Sequence, residues 1–239
     1  MKVILCGYNW IGCKALTELL DQGYEVYVYT HENPYYVNSL IDLCEKLNVG
    51  YTTNKINKSN IPFIPNIICS IYYRYIINKE IIDIVRGKIF NLHPSLLPKY
   101  KGCSSITWAL INGENKTGFT FHYIDQGIDT GNIILQKEIN IEDWDTQIDL
   151  YHRVMYEASK YFLEVLQMVI KGFVGYTQDA ASGNYYKRGC PYNGEIDSKW
   201  PLDKIERFIR AMYYPPLPFA KYGDDYVKTL SEYKKLINK

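Results

Sequence analysis

Three side chains of this 239-residue chain could run acyl chemistry together: Asn91, His93 and Asp129. Asn91 and His93 stand two apart after the short apolar run Lys88-Ile89-Phe90, so in a strand they project to the same side. Pro94 and Pro98 then forbid both a continued central strand and an immediate helix. An amide and an imidazole would leave the sheet's end together, as two donors over one reacting oxygen. When an acyl group moves from a nitrogen to an amine, that oxygen gains negative charge and the attacking amine must lose a proton. Removing one donor from such an oxygen typically costs roughly 10²–10³ in rate. A carboxylate beside the imidazole favours its protonated form and can relay the proton, worth on the order of 10²–10⁴. Asp129 supplies the carboxylate. On residue types alone two plainer readings stay open: a histidine beside proline is often structural, and Asp129 in Gly127-Ile128-Asp129-Thr130-Gly131 could hold a tight turn.

These residues need a sheet to deliver them. The apolar run 2–6 reads as a buried strand, followed by a turn over Gly7-Tyr8-Asn9-Trp10-Ile11-Gly12, a helix over 13–22 and a second strand over 25–30. That unit opens a doubly wound α/β sheet. It argues against NAD, because Asn9 replaces the middle glycine of the dinucleotide pattern and Tyr29-Thr30-His31 stands where an acidic residue is wanted. An anionic group resting on the helix N-terminus fits better. A helix over 38–47, a strand over 66–71, a helix over 78–85 capped by Asn78, and the strand 88–92 carry the chain to the focal loop. Residues 104–111 read as a helix, and the strands 117–123 and 132–141 as a hairpin across 125–131. Thr146-Gln147-Ile148-Asp149 resembles a capping box and opens one long amphipathic helix that ends at Gly172. Beyond 173 the composition shifts to Gly, Tyr, Lys and Pro, with a helical run over 203–212 and a final hairpin. The expected division is a catalytic domain over 1–172 and, over 173–239, an extension that covers the site or meets a partner subunit.

Net charge is +1, which offers no footprint for nucleic acid. The apolar run at the N-terminus is too short for a signal peptide or membrane span, so the cytoplasm is expected. Six cysteines form no Cys-x-x-Cys pair and have no histidine at zinc spacing, so no metal is expected. Cys103, near the focal loop, has no base beside it and is read as packing.

The stretch Asn91-Leu92-His93-Pro94-Ser95-Leu96-Leu97-Pro98-Lys99-Tyr100-Lys101-Gly102, with Ile128-Asp129-Thr130-Gly131 after it, resembles the signature of the folate-dependent formyltransferases. The resemblance covers most of residues 1–170 and implies a Rossmann-like, mostly parallel sheet. It also implies transfer of formyl from N10-formyltetrahydrofolate to an amine, with Asn91, His93 and Asp129 as catalysts. The pterin would be held by Arg74, Tyr75, Ile76 and Ile77, and by Ile124, Asp125, Gln126, Gly127 and Ile128. An acceptor phosphate would sit on the turn containing Gly7, Asn9, Trp10 and Gly12.

The segment 194–197, the run 205–211 and the prolines at 215–218 resemble the linker of tRNA and sugar formyltransferases, but the chain leaves no room for the tRNA enzymes' β-barrel. A nucleotide-linked amino sugar is therefore the expected acceptor. The short chain and its Tyr214-Pro215-Pro216-Leu217-Pro218 tail resemble the bacterial enzymes acting on dTDP-4-amino-4,6-dideoxyglucose or its 3-amino isomer for O-antigen synthesis, which implies Arg210, Tyr213 and Tyr214 near the nucleotide and a homodimer as the assembly. The departure at Lys101-Gly102-Cys103-Ser104-Ser105 leaves acceptor contacts there open. Alternatives are a glycinamide ribonucleotide acceptor, a formyl-folate hydrolase, and a nucleotide-binding module without catalysis.

Overall fold

The computed structural model describes residues 1–179 and 182–238. A seven-stranded sheet in the order β3-β2-β1-β4-β5-β7-β8 organises the chain. Its strands are β1 (Lys2–Gly7), β2 (Glu25–Tyr29), β3 (Tyr51–Thr52), β4 (Ile67–Ile71), β5 (Ile89–His93), β7 (Lys116–Tyr123) and β8 (Ile133–Asn140). The first five are parallel, and β7 lies antiparallel to β5. Helices α1 (Asn9–Asp21), α2 (Leu40–Leu47) and α3 (Lys79–Ile84) make the crossovers. The chain winds outward from β1 to β3, then returns to place β4 on the other side of β1. Strand order reverses there, which opens a crevice beyond the C-terminal ends of β1 and β4.

Burial on both faces explains why β1 and β4 read as unbroken apolar runs. One face carries Ile4, Cys6, Tyr29, Ile68 and Ile89 and packs under Ile81 and Val85. On the other, Ile71, Leu92 and Phe121 meet Ile11 and Ala15 of α1 and Phe162 of α6 (Phe162–Ile170). Ser70, Asn91 and His122 stand in one row across β4, β5 and β7, because Ser70 pairs with Asn91 and Asn91 with His122. A one-residue slip of β5 would turn Asn91 and His93 into the apolar layer, each at roughly 1–3 kcal/mol. Register is therefore fixed by the same alternation that aims the polar row.

Several expected boundaries move. Helix α1 begins at Asn9, not at 13: the Gly12 N–H already donates to the Tyr8 carbonyl at 3.1 Å, and Asn9 tolerates φ 61°. Gly12 packs closely there, since a Cβ would stand 3.2 Å from the Gly7 carbonyl carbon and the backbone would have to give by a few tenths of an ångström. The single helix expected up to 172 is two, α5 (Gln147–Ser159) and α6. The Lys160 and Tyr161 N–H groups bond three residues back, to Glu157 and Ala158, and the Ser159 hydroxyl donates to the Tyr156 carbonyl, which tightens the chain out of α geometry. A terminal helix, α8 (Leu230–Ile237), follows the expected hairpin. Thr229 caps it by accepting from the Glu232 N–H, a signal present in Thr229-Leu230-Ser231-Glu232.

The chain forms two compact units. Among the described residues, one holds 1–93, 120–136 and 155–179; the other holds 94–119, 137–154 and 182–238. In the second, α4 (Ser105–Ile111) packs on α7 (Leu202–Ala211), and the Arg207 guanidinium donates to the Ile111 carbonyl at 3.2 Å. The short strands β6 (Lys101–Gly102) and β9 (Tyr185–Tyr186) pair in parallel, and Tyr186 stacks on Trp108 with ring centres 4.4 Å apart. Strands β10 (Ala220–Tyr222) and β11 (Asp225–Val227) make the terminal hairpin. Among the described residues, no helix is long and apolar enough to cross a membrane.

Candidate active site

The site lies in the first unit, where β5 ends. Asn91 and His93 leave the sheet on one face, and the return from β7 to β8 brings Asp129 to them. That return is held tightly. The Asp125 carboxylate accepts from the Gly127 N–H at 3.0 Å and the Thr130 hydroxyl at 2.7 Å. A side chain at Gly131 would overlap the Tyr123 carbonyl oxygen, so only glycine lets the chain turn back there. Gln178 donates its amide to the Asp129 and Gly131 carbonyls at 3.0 and 2.7 Å. Asp129 itself takes φ 55°, in the left-handed region that Asp and Asn enter most readily among side-chain-bearing residues.

The geometry that results is specific. One Asp129 carboxylate oxygen lies 3.5 Å from His93 Nδ1, and the other lies 3.5 Å from His122 Nε2. His122 Nε2 is in turn 3.2 Å from Asn91 Nδ2. The Ser70 hydroxyl donates to Asn91 Oδ1 at 2.8 Å. Both imidazoles are buried, while the Asp129 side chain keeps 13% of its surface open. The expected trio converges. A carboxylate shared between two imidazoles, next to a fixed amide, can take up a proton and offer donors to a developing negative charge.

Two members were not foreseen as site residues. His122 was readable as the end of a strand, and its spacing to Asp129 places it opposite Asn91 only once register is known. Ser70 was visible as the lone hydroxyl in the buried run Ile67-Ile68-Cys69-Ser70-Ile71. Gln178 lies beyond residue 172, in the stretch expected to belong to the extension; there Tyr176 bridges to Ile133 and joins it to the first unit.

The two segments expected to hold the pterin meet at one core cluster, through buried Ile77 and half-buried Ile124. Tyr75 lies under the Arg74 guanidinium at 5.5 Å, and Ile76 and Ile128 stand 67% and 40% exposed. Exposed apolar side chains flanked by main-chain donors and acceptors fit a flat, polar-edged heterocycle. Asp125, Gln126 and Gly127 are exposed on the return loop.

At the α1 turn, the Asn9 amide oxygen accepts from the Trp10 N–H at 2.6 Å, and Gly7 and Gly12 are buried against Leu40. Arg210, Tyr213 and Tyr214 belong to the second unit. Arg210 donates to the Asp145 carbonyl at 2.6 Å, the Tyr213 ring packs on Phe219, and Tyr214 lies against Tyr151 and His152. Burial pushes the Cys13 thiol up to about 11 and the Cys44 thiol up to about 12, so neither forms thiolate at neutral pH. No cluster of three or more potential metal ligands occurs among the described residues.

Comparison with known proteins agrees with this geometry. Residues 31–166, more than half of the chain, match the Formyl transferase family. The chain is 35% identical to a GDP-perosamine N-formyltransferase of Brucella melitensis, over 99% of this chain and 95% of that protein. It superposes with a TM-score of 0.84, at 26% identity, on an N-formyltransferase from Helicobacter canadensis in complex with folinic acid and dTDP-3-aminofucose, covering 96% of this chain and 87% of that one. WlaRD, a sugar 3N-formyl transferase solved with dTDP and 5-N-formyl-THF, gives a TM-score of 0.83 at 26% identity, covering 96% and 85%. The chain belongs to the formyl transferase family, as a folate-dependent N-formyltransferase.

Proposed function

We propose that the protein transfers the formyl group of N10-formyltetrahydrofolate to the amino group of a nucleotide-linked amino sugar, with Asn91, His93 and Asp129 as its catalytic residues. The observation that carries this reading is the Asp129 carboxylate set 3.5 Å from His93 and beside the Asn91–His122 pair. N10-formyltetrahydrofolate supplies the formyl carbon. The acceptor's amine attacks that carbon; the new C–N bond forms, the bond to N10 breaks, the amine loses one proton and N10 gains one. Asn91 and the protonated His93 donate to the formyl oxygen as charge develops there. Asp129 holds His93 in its charged form and takes the amine's proton. No covalent enzyme intermediate is required. The amides that open α1 suit the acceptor's phosphates.

The tail of the chain favours dTDP-4-amino-4,6-dideoxyglucose, whereas likeness over nearly the full length of a GDP-perosamine enzyme favours GDP-perosamine, and the second carries more weight because it spans the whole chain. The activity fits O-antigen assembly in the cytoplasm, with the extension from 173 covering the acceptor or joining a homodimer. A panel of GDP- and dTDP-linked amino sugars, with glycinamide ribonucleotide, tests the reading through loss of formyl-folate. We expect turnover on one or more amino sugars and none on glycinamide ribonucleotide. Formate release without any acceptor, or formylation of glycinamide ribonucleotide alone, would overturn it.

A further inference from the structure

A carboxamide is nearly symmetric in shape but not in chemistry: one end only donates, the other only accepts. An asparagine that stabilises negative charge must present its NH₂, and a flip would put a carbonyl oxygen against the charge instead. Something must therefore hold Asn91 the right way round. Ser70 cannot do so alone. Its hydroxyl lies 2.8 Å from Asn91 Oδ1, but a hydroxyl can rotate to donate or to accept.

We propose that His122 is the positioning residue that sets the polarity of the Asn91 amide. The Tyr123 main-chain carbonyl can only accept, and it lies 2.8 Å from His122 Nδ1, so Nδ1 carries the hydrogen. The Asp129 carboxylate lies 3.5 Å from Nε2 as well, but it is shared with His93, and a second charged ring 6.4 Å from the first would be repelled; in the neutral ring Nε2 has only a lone pair to offer. It lies 3.2 Å from Asn91 Nδ2, so that end of the amide must be the donor. Oδ1 is left toward Ser70, which donates to it. The second N–H of the same NH₂ group is the one a reacting oxygen would use. A backbone carbonyl thus dictates, through one imidazole, which face Asn91 shows to the substrate. The antiparallel register that sets Asn91 opposite His122 makes this possible.

The inference rests on the catalytic reading of Asn91, and the test separates the two. H122F keeps a flat ring but removes both nitrogens. With N10-formyltetrahydrofolate and the amino sugar of highest turnover in the panel, we expect kcat to fall about 10- to 100-fold while both KM values stay within about threefold. In an N91A background, H122F should cost less than threefold more, because its effect passes through Asn91. A parental kcat for H122F, or a full further loss in N91A, overturns the proposal while the trio reading stands. A parental kcat for N91A, or no turnover on any acceptor, overturns both. Should H122F not fold, H122A is read in its place by the same criteria: a lowered kcat that is non-additive with N91A upholds the proposal, and a parental one overturns it.

Discussion

Asp129 and Asp145 flank the same strand, β8, and both are largely shielded from water, yet they are held in opposite ways. Asp145 is fully buried; its carboxylate takes both ends of the Arg153 guanidinium, one at 2.8 Å, and accepts from the Glu142 N–H at 2.8 Å. That guanidinium's pKa is pushed upward by the Asp145 contact itself, so the arginine keeps its charge throughout any working range. Asp129 faces two imidazoles at 3.5 Å instead, side chains that can take up or release a proton as a guanidinium does not. A carboxylate beside a permanent cation becomes part of the scaffold. The same carboxylate beside histidines becomes a place where a proton can rest during a reaction.

The contrast is broken most directly by removing each charge in turn. Asp129→Asn keeps a residue that accepts the left-handed backbone, so it isolates the charge from the turn. We expect turnover to fall on the order of 10²–10⁴ with the melting temperature within about 2 °C of the parent. Steady-state formyl transfer and a thermal melt suffice, and near-parental turnover would return Asp129 to the role of a turn residue. Asp145→Asn should show the reverse. It leaves a part-buried arginine without its counter-charge, at a cost of about 3 kcal/mol, near the lower end for a broken buried pair because the Arg153 side chain is 30% exposed. Denaturant unfolding should report that loss, while kcat per folded molecule stays within about twofold. A fall in kcat to match Asp129→Asn would end the distinction between the two carboxylates.

What could be read from the sequence follows the same line. Alternation placed Asn91 and His93 on one strand face, but it was the resemblance of the 91–102 and 128–131 stretches to the formyltransferase signature that joined Asp129 to them. His122 and Ser70 were not legible, since their place beside Asn91 depends on the pairing of β4, β5 and β7, and no local pattern encodes the partner of a strand. The sheet's order was implied by the alternation of strand and helix. The break between α5 and α6 was missed because the apolar stripe continues through it, while Ser159 back-bonding and two shortened hydrogen bonds end the α geometry. Arg210, expected near the nucleotide by resemblance, donates to the Asp145 main-chain carbonyl, a partner that no local pattern announces.

A third histidine sharpens the comparison at its weakest end. His152 lies on α5 against Tyr151 and Tyr214, with ring centres 5.1 and 6.4 Å away. Burial lowers its pKa below the ordinary value, and the Asp149 carboxylate opposes this less strongly. In this environment the neutral ring is preferred. The sign for stability follows. As pH falls from about 7, the unfolded chain protonates His152 first, so the unfolded state binds more protons and gains on the folded one. The contribution of the neutral ring is complete above about 6.5 and declines as pH falls toward the lower folded value. His152→Gln removes the titration and keeps a polar side chain of similar reach. Between pH 7 and pH 5 the parent's melting temperature should therefore fall about 1–2 °C further than the variant's, a small difference because solvent screens this exposed side chain. Parallel slopes for the two proteins would mean that the rings around His152 do not discriminate between its charge states. The preference for a neutral imidazole would then belong to neither region of the molecule.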